Sequence, residues 1–324
     1  MNKYPKVSII IPLYVISDRF FEDLIKFNNL DYPNFEILIV CDQKVALPRF
    51  KKIKARLILT GQSNTGPAEK RDIALKYAKG EFCAFIDDDA YPHPLWLKNA
   101  VPNFLDTSIV AVGGPGVTPP EDTYWGQMTG LVYGSFFCSG FAQYRFVKGK
   151  RQYVRDYPAY NLLIRKTALL KVGGYGNHFY GGEDTFLCLK LVKKGFKIFY
   201  DPNVLIFHHR RPLFVSYLKQ IANVGRHRGY FARVFPQTSF TWEYFIPSIL
   251  AISLIALIVL SPFQTWAQLL LFTLLPFFYL LAILSVINKT NILDALIVST
   301  GIILTHMVYG LNFIQGYLTK QLLR

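Results

Sequence analysis

Short apolar runs alternate with stretches of helical spacing along the first third of the chain. Four runs rich in β-branched residues are predicted to be buried strands: KVSIIIP ending at Pro12, FEILIV at Phe35–Val40, ARLILT at Ala55–Thr60 and EFCAFI ending at Ile86. Helices are predicted between them, over about Asp18–Asn29 and within GPAEKRDIALKYAKG. This alternation predicts an α/β domain with a mostly parallel sheet, in which ligands bind beyond the carboxyl ends of the strands.

From Trp242 onward the pattern changes to long apolar segments that carry almost no charge. Each of them is long enough to cross the roughly 30 Å hydrocarbon layer of a membrane. They occupy residues 243–261, 265–287 and 292–318. Trp242 and Trp266 lie near segment ends, as aromatic residues at a membrane interface do. The alternative is a buried helical core, but three such segments in succession favour a transmembrane region over residues 242–324.

Four residues inside these segments predict local features of the helices. Pro276 is predicted to kink the second segment, and Gly301 or Gly310 to break the third. His306 is expected to be a hydrogen-bond partner between helices, with a proton relay as the alternative.

Residues 213–241 join the two parts, and they combine helical apolar spacing with basic residues. Between residues 185 and 241 there are ten Lys and Arg residues and a single acid, Asp201. This predicts an amphipathic helix in the membrane interface, attracted by anionic lipid. The positive-inside rule then places the preceding domain, residues 1–212, on the cytoplasmic face of the plasma membrane. Three spans would put the C-terminus outside, although Lys320 and Arg324 weigh against that.

Composition narrows the classes of partner. The formal net charge is +15 over 324 residues, which suits phosphorylated small molecules, an anionic membrane or nucleic acid. Nucleic acid is not expected, because no zinc-finger spacing, recognition-helix pattern or long basic tract is present. The four cysteines show no CxxC spacing and are expected to be buried thiols. The first residues lack a secretory signal pattern, which agrees with a cytoplasmic catalytic part.

The fourth predicted strand ends in three consecutive acids, Asp87, Asp88 and Asp89. In an extended chain residues i and i+2 point to the same side, so Asp87 and Asp89 can converge. Two convergent carboxylates on a basic protein suit a hard divalent cation, Mn²⁺ or Mg²⁺, although solvated acidic turns are also common. Asp88 is a candidate for the nucleotide pocket, with the alternative that it only caps the turn.

Further motifs appear in a fixed order: IPLY, NTGPAEKRDIAL, FIDDDAYPHPLWL, and a long block containing YGGEDTFLCLKL and DPNVLIFHH. In this order they resemble the family 2 glycosyltransferases of the GT-A fold, over about residues 5–212. The resemblance implies a Rossmann-like, mostly parallel catalytic domain that uses a nucleotide-diphospho-sugar donor and a divalent cation.

The resemblance also implies roles for single residues. Pro12 and Tyr14 correspond to the nucleotide pocket, and Arg71 to a cation near the donor. Asp87 and Asp89 correspond to the family's DxD motif, which contacts the nucleotide and binds the metal.

Later motifs correspond to the acceptor side and to the metal. Asp184 matches the base that deprotonates the acceptor hydroxyl, with Glu183 beside it; the two acids could equally cap a helix. His208 matches a late metal ligand, and His209 is the competing candidate.

Two departures from the family pattern limit what can be carried over. The family often has an acid pair after the second strand, whereas this chain has Cys41 followed by Asp42. Asp42 is a candidate for contact with the nucleotide base, but the missing first acid leaves in doubt how that base is bound. The QxxRW sequence of processive synthases is absent after Gln220, which favours addition of one sugar at a time.

Together these features predict a membrane-anchored, metal-dependent, inverting glycosyltransferase. Its acceptor is expected to be lipid-linked or a glycolipid. The alternatives are a catalytically silent membrane scaffold or sugar-nucleotide sensor, and a metal-dependent phosphohydrolase that uses the same acids.

Overall fold

The computed structural model describes residues 3–48, 54–176, 179 and 181–322. These residues form two compact units. The first consists of the described parts of Met1–Pro119 and Val147–His209; the second consists of Pro120–Phe146 and the described part of Arg210–Leu323. Pro120–Phe146 packs with the C-terminal helices, and the division into residues 1–212, 213–241 and 242–324 stays a prediction.

Strands and helices follow one another along the described chain. The strands are β1 (Val7–Pro12), β2 (Phe35–Cys41), β3 (Ala55–Leu59), β4 (Phe82–Ile86), β5 (Ala90–Pro92), β6 (Ile109–Gly113), β7 (Gly116–Val117), β8 (Gln152–Val154), β9 (Asn161–Arg165), β10 (Lys197–Tyr200) and β11 (Ile206–His208). The helices are α1 (Asp18–Lys26), α2 (Pro67–Leu75), α3 (Trp96–Ala100), α4 (Tyr124–Tyr133), α5 (Phe136–Ser139), α6 (Lys166–Lys171), α7 (Glu183–Lys193), α8 (Val215–Val234), α9 (Pro236–Ser239), α10 (Trp242–Leu260), α11 (Thr265–Val286) and α12 (Ile292–Leu318).

The first unit is built on an eight-stranded mixed sheet with the order β3-β2-β1-β4-β9-β6-β10-β8. Strands β1 to β4 pair in parallel, and β9 is antiparallel to both β4 and β6. Every residue of β1 and β4 is buried, as expected for central strands covered on both faces. The four predicted strands and both predicted helices are therefore confirmed, and the predicted α/β fold with them.

A second, three-stranded sheet with the order β5-β11-β7 follows the acidic triplet. Strand β11 pairs antiparallel with β5, so that His208 lies opposite Ala90, the residue after Asp89. The buried Asn161 amide donates to the Val204 carbonyl at 2.7 Å and so holds the segment that leads into β11. This small sheet therefore brings a late part of the chain to the acids.

In the second unit α10, α12 and the α11 segment Thr265–Lys289 are each long and apolar enough to cross a membrane. Their bounds agree with the predicted segments. The predicted break in the third segment is wrong, because α12 is continuous from Ile292 to Leu318. The two glycines instead allow close packing: Gly301 faces Leu213, and a Cβ at Gly310 would overlap the Pro247 carbonyl.

Helix α8 occupies most of the segment predicted as amphipathic, and it packs along α12 with small residues at the contact. A Cβ at Gly225, Gly229 or Gly316 would overlap backbone atoms of the facing helix. Arg226 donates to Gln315 of α12 at 3.3 Å, and Arg233 donates to the carbonyl of Thr319, the residue that follows α12. The attraction of α8 to anionic lipid stays a prediction.

Replacing Gly229 with valine is expected to destabilise the second unit. The new side chain would collide with the Phe313 carbonyl, and overpacking of this kind costs about 1–3 kcal/mol or more. The thermal midpoint of the detergent-solubilised protein measures the effect. Asn223→Val, on an exposed position of the same helix, is the control and should leave the midpoint nearly unchanged. Equal midpoints for both variants would contradict the close packing.

Candidate functional site

The carboxyl ends of β1 and β4 lie side by side, since these strands pair in parallel. Pro12 ends β1 and is buried, whereas Tyr14 beyond it is 66 % exposed. The Asp88 carboxylate accepts hydrogen bonds from the backbone N–H groups of Tyr14 at 2.6 Å and Val15 at 3.2 Å. Asp88 thus fastens the loop after β1, which supports the turn-capping alternative.

Asp87, Asp89 and His208 form a group that could hold a metal ion, with one ligand atom from each side chain within 4.8 Å of the others. The Nε2 atom of His208 lies 2.9 Å from Asp89 Oδ1. Two carboxylates and an imidazole are ligands that suit Mn²⁺, and the carboxylates also suit Mg²⁺. The structure therefore brings Asp87 and Asp89 together and turns Asp88 to the β1 loop, but it does so in the turn between β4 and β5 and not in an extended strand.

His209 does not join this group, although the sequence left it as a competing candidate. Its side chain is buried, and Nε2 lies 3.2 Å from Asp23 Oδ2 of α1. Its backbone N–H donates to the Asp89 carbonyl at 2.9 Å. Because consecutive strand residues point to opposite faces, only one of the two histidines can face the acids, and it is His208.

Arg71 of α2 is buried and connects the acids of two distant motifs. Its guanidinium donates to Asp87 at 2.9 Å, to Glu183 at 3.1 Å and to Asp184 at 3.5 Å. The sequence placed this cation near the donor, and in the structure its guanidinium binds three carboxylates. A buried guanidinium is stabilised by such partners and keeps their negative charges together.

Glu183 and Asp184 begin α7, after two glycines with positive φ, Gly181 at +94° and Gly182 at +75°. Glycine adopts this backbone readily, which explains the GG of the GGED motif. The Asp184 carboxylate accepts from the Ala159 N–H at 2.9 Å. Burial and the nearby Glu183 raise the pKa of Asp184 to about 7, against the opposing effect of Arg71. A carboxylate with that pKa is suited to general-base catalysis near neutral pH.

Asp42 after β2 accepts from the Thr60 hydroxyl at 2.9 Å and the Thr65 N–H at 3.1 Å, and it lies 3.4 Å from Lys70 Nζ. These contacts hold the loop before α2, and they lower the pKa of Asp42 despite its partial burial. Its predicted contact with the nucleotide base stays a prediction.

Sequence reasoning missed three residues that support the site. Lys70 is buried and donates to the Leu13 carbonyl at 2.8 Å. The Tyr160 ring lies 4.9 Å from the His208 ring, and Asn161 holds the approach to β11. Lys70 follows Glu69 in a helix, where two adjacent charged residues suggest an exposed position. Tyr160 and Asn161 are far in sequence from β11, and only the folded structure brings them close to it.

Asp88→Ala is expected to raise the KM for a sugar-nucleotide donor about tenfold, because the β1 loop loses two hydrogen bonds to a charged acceptor. Asp88→Asn keeps an acceptor oxygen and should stay near the wild-type KM. Steady-state kinetics with varied donor measure the effect. If Asp88→Asn is impaired as strongly as Asp88→Ala, the carboxylate acts by more than holding this loop.

The mixed sheet with acids at the end of β4, and a second acid pair at the start of α7, define a GT-A-like fold. The mannosyltransferase PcManGT from Pyrobaculum calidifontis, solved with GDP-Man and Mn²⁺, has a similar structure with a TM-score of 0.61. It is 18 % identical, and the match covers 94 % of this chain and 86 % of that chain, which shows the fold alone. The sequence model of the protein family "Glycosyl transferase family 2" matches residues 8–174, so the chain belongs to this family.

Several glycosyltransferases are similar in sequence to part of this chain. A pre-mycofactocin glycosyltransferase of Mycobacterium tuberculosis is 26 % identical over 52 % of this chain, which covers 35 % of that relative's length. The glycosyltransferase AglE of Haloferax volcanii is 26 % identical over 68 % of this chain and 72 % of its own. A dolichyl N-acetyl-alpha-D-glucosaminyl phosphate 3-beta-D-2,3-diacetamido-2,3-dideoxy-beta-D-glucuronosyltransferase of Methanococcus voltae is 24 % identical over 70 % of this chain and 74 % of its own.

Proposed function

We propose that this protein is a membrane-anchored, metal-dependent, inverting glycosyltransferase. It moves one sugar at a time from a nucleotide-diphosphate donor to a membrane-associated acceptor. The observation that carries the proposal is the convergence of Asp87, Asp89 and His208, joined through Arg71 to Asp184. Membership in glycosyl transferase family 2 supports the reaction class.

The side chains that meet at this site suit a divalent cation. Asp87, Asp89 and His208 would hold Mn²⁺ or Mg²⁺, and a bound ion would neutralise charge on the diphosphate leaving group. Other residues hold these ligands in place. Arg71 binds Asp87, and the pairing of β11 with β5 positions His208 beside the acids.

Asp184 is proposed as the base that takes the proton of the acceptor hydroxyl. The Ala159 N–H fixes the orientation of its carboxylate, and burial together with the nearby Glu183 raises its pKa to about 7. A single displacement inverts the anomeric centre and needs one base, so that Glu183, bound by Arg71 and the Gly181 N–H, is assigned to positioning.

The acceptor is proposed to be lipid-linked or a glycolipid. Three helices apolar enough to span a membrane support an acceptor that stays at the membrane, and the name of the Methanococcus voltae relative contains dolichyl N-acetyl-alpha-D-glucosaminyl phosphate. The catalytic unit is proposed to face the cytoplasm at the plasma membrane, near anionic lipid, because basic residues concentrate in residues 185–241.

The test uses the full chain in nanodiscs that contain anionic lipid, with UDP-, GDP- and dTDP-sugars. Release of nucleoside diphosphate is measured with Mn²⁺, with Mg²⁺ and after EDTA, in the presence of polyprenyl-phosphate and glycolipid acceptors. We expect metal-dependent release that requires an acceptor. Donor binding without turnover across this panel would replace the proposal with a silent sensor. Release equally fast without acceptor would replace it with a phosphohydrolase.

A further inference from the structure

The segment Tyr124–Arg145, here called the aromatic insert, comprises α4, α5 and a 3-10 turn over Gly140–Arg145. It lies inside the range matched by the family model, yet it packs in one unit with the apolar C-terminal helices. Its 22 residues include seven aromatic side chains and, apart from Arg145, no charged one. This composition is unusual for a segment that faces water.

The aromatic insert follows α11 from its end toward its middle. Lys289, just after α11, donates to the Gly134 carbonyl at 2.9 Å, and the hydroxyl groups of Ser135 and Ser285 are 2.9 Å apart. The Phe137 ring then lies 5.7 Å from the Phe278 ring. Phe278 precedes Lys289 by eleven residues, which is about 16 Å along a helix and about half of a hydrocarbon layer. The insert therefore reaches the apolar part of a candidate span.

Side chains satisfy the backbone carbonyls of the aromatic insert where its helices break. The Tyr133 carbonyl accepts from the Ser139 hydroxyl at 2.7 Å, and the Gly134 carbonyl also accepts from Gln143 at 2.6 Å. The Phe137 carbonyl accepts from His306 Nε2 at 2.7 Å. His306 thus forms the expected interhelical hydrogen bond, and its partner belongs to α5. Irregular backbone at membrane depth needs such internal partners, because lipid offers none.

Two large rings of the aromatic insert point away from the protein. Phe136 is 55 % exposed and Phe141 is 70 % exposed, and their rings meet edge to face at 5.8 Å. The adjoining stretch of α11 also exposes apolar side chains, among them Phe277 and Leu284. The exposed rings therefore belong to an element that packs against α11, and α11 is long enough to span a membrane and exposes apolar side chains of its own.

We propose that the aromatic insert is a membrane-embedded element, with Phe136 and Phe141 in contact with lipid acyl chains. The insert lies within residues 8–174, the range of the family domain, and adds a surface that contacts lipid. The bilayer is the occupant, because the insert that carries the exposed rings packs against α11, a candidate span, and because the backbone beside them is satisfied internally.

The experiment places a fluorophore on the insert in full-length protein reconstituted at one copy per nanodisc. Phe141→Cys and Phe136→Cys are made in a Cys138→Ser background, since Cys138 is the one native cysteine that is not buried. Each is labelled with an environment-sensitive probe, and quenching by lipids brominated on their acyl chains is measured. Leu105→Cys is the matched control, because Leu105 in the first unit is also 70 % exposed.

We expect the probes at positions 136 and 141 to lose most of their fluorescence in brominated lipid, while the probe at position 105 keeps it. Quenching no greater than at position 105 would overturn the proposal. The same measurement is repeated in vesicles that hold several copies, and loss of the quenching there would also overturn the proposal, since a second chain would then cover the rings. Monodisperse elution of each labelled variant shows that it is folded, and two labelled positions guard against the failure of one.

Discussion

Asp89→Asn is expected to reduce sugar transfer on the order of 10²- to 10³-fold, the loss typical when one group that stabilises developing charge is removed. Asp89 is the more exposed acid of the metal group, and it contacts His208 at 2.9 Å. Asparagine keeps the shape but supplies a weaker, neutral ligand. The hydrogen bond from the His209 backbone N–H to the Asp89 carbonyl remains, so the turn that carries Asp89 should keep its position. Turnover at saturating donor over a Mn²⁺ titration, with a thermal shift in Mn²⁺ alone, measures both effects.

Asp31→Asn is the matched control for this variant. Asp31 is an acid of the same unit, 58 % exposed against 50 % for Asp89, and it pairs with Lys98 on the surface. It should keep wild-type turnover and the wild-type response to Mn²⁺, because exposed ion pairs contribute little. If Asp89→Asn also keeps the wild-type Mn²⁺ midpoint and turnover, the metal assignment is wrong.

The fold of the first unit could be predicted from the sequence because its signals are local. Each central strand is a run of apolar residues that is buried on both faces, and the helices between them have local start signals, Ser17 as the N-cap of α1 and Pro67 in the first turn of α2. The apolar spans are likewise defined by length and composition alone. The aromatic insert could not be assigned in this way, because its place beside α11 depends on contacts such as Ser135–Ser285.

The site was predictable where a motif carries its own geometry. The spacing of Asp87 and Asp89 indicated that they converge, although residues 87–89 form a turn and not an extended strand, and the two glycines before Glu183 indicate a turn into a helix. The sequence could not choose between His208 and His209, because the register of β11 against β5 decides which of them faces the acids. It also could not show that Arg71 bridges Asp87 and Glu183, residues that are close only after the sheet has formed.

Asp184→Asn is expected to lower turnover about 10²- to 10⁴-fold, the usual contribution of a general base. The amide oxygen can still accept the Ala159 N–H, so that α7 should keep its first turn. In the wild type, the base must be ionised to take a proton, and burial raises its pKa to about 7. The transfer rate should therefore rise with pH through about 7 and fall about tenfold per pH unit well below it. Asp184→Asn should lose this dependence in its residual rate.

Asp201→Asn separates loss of the base from loss of a buried carboxylate. Asp201 is buried, accepts from the Asn203 N–H at 3.0 Å and pairs with Arg151 at 3.0 Å, remote in sequence from both acid motifs. This variant should lower the thermal midpoint, because it weakens a buried charged acceptor, and yet keep the pH dependence of transfer. A residual rate in Asp184→Asn with the wild-type pH profile would mean that another group is the base. Glu183 would then be the first candidate, since Arg71 holds both carboxylates in one place.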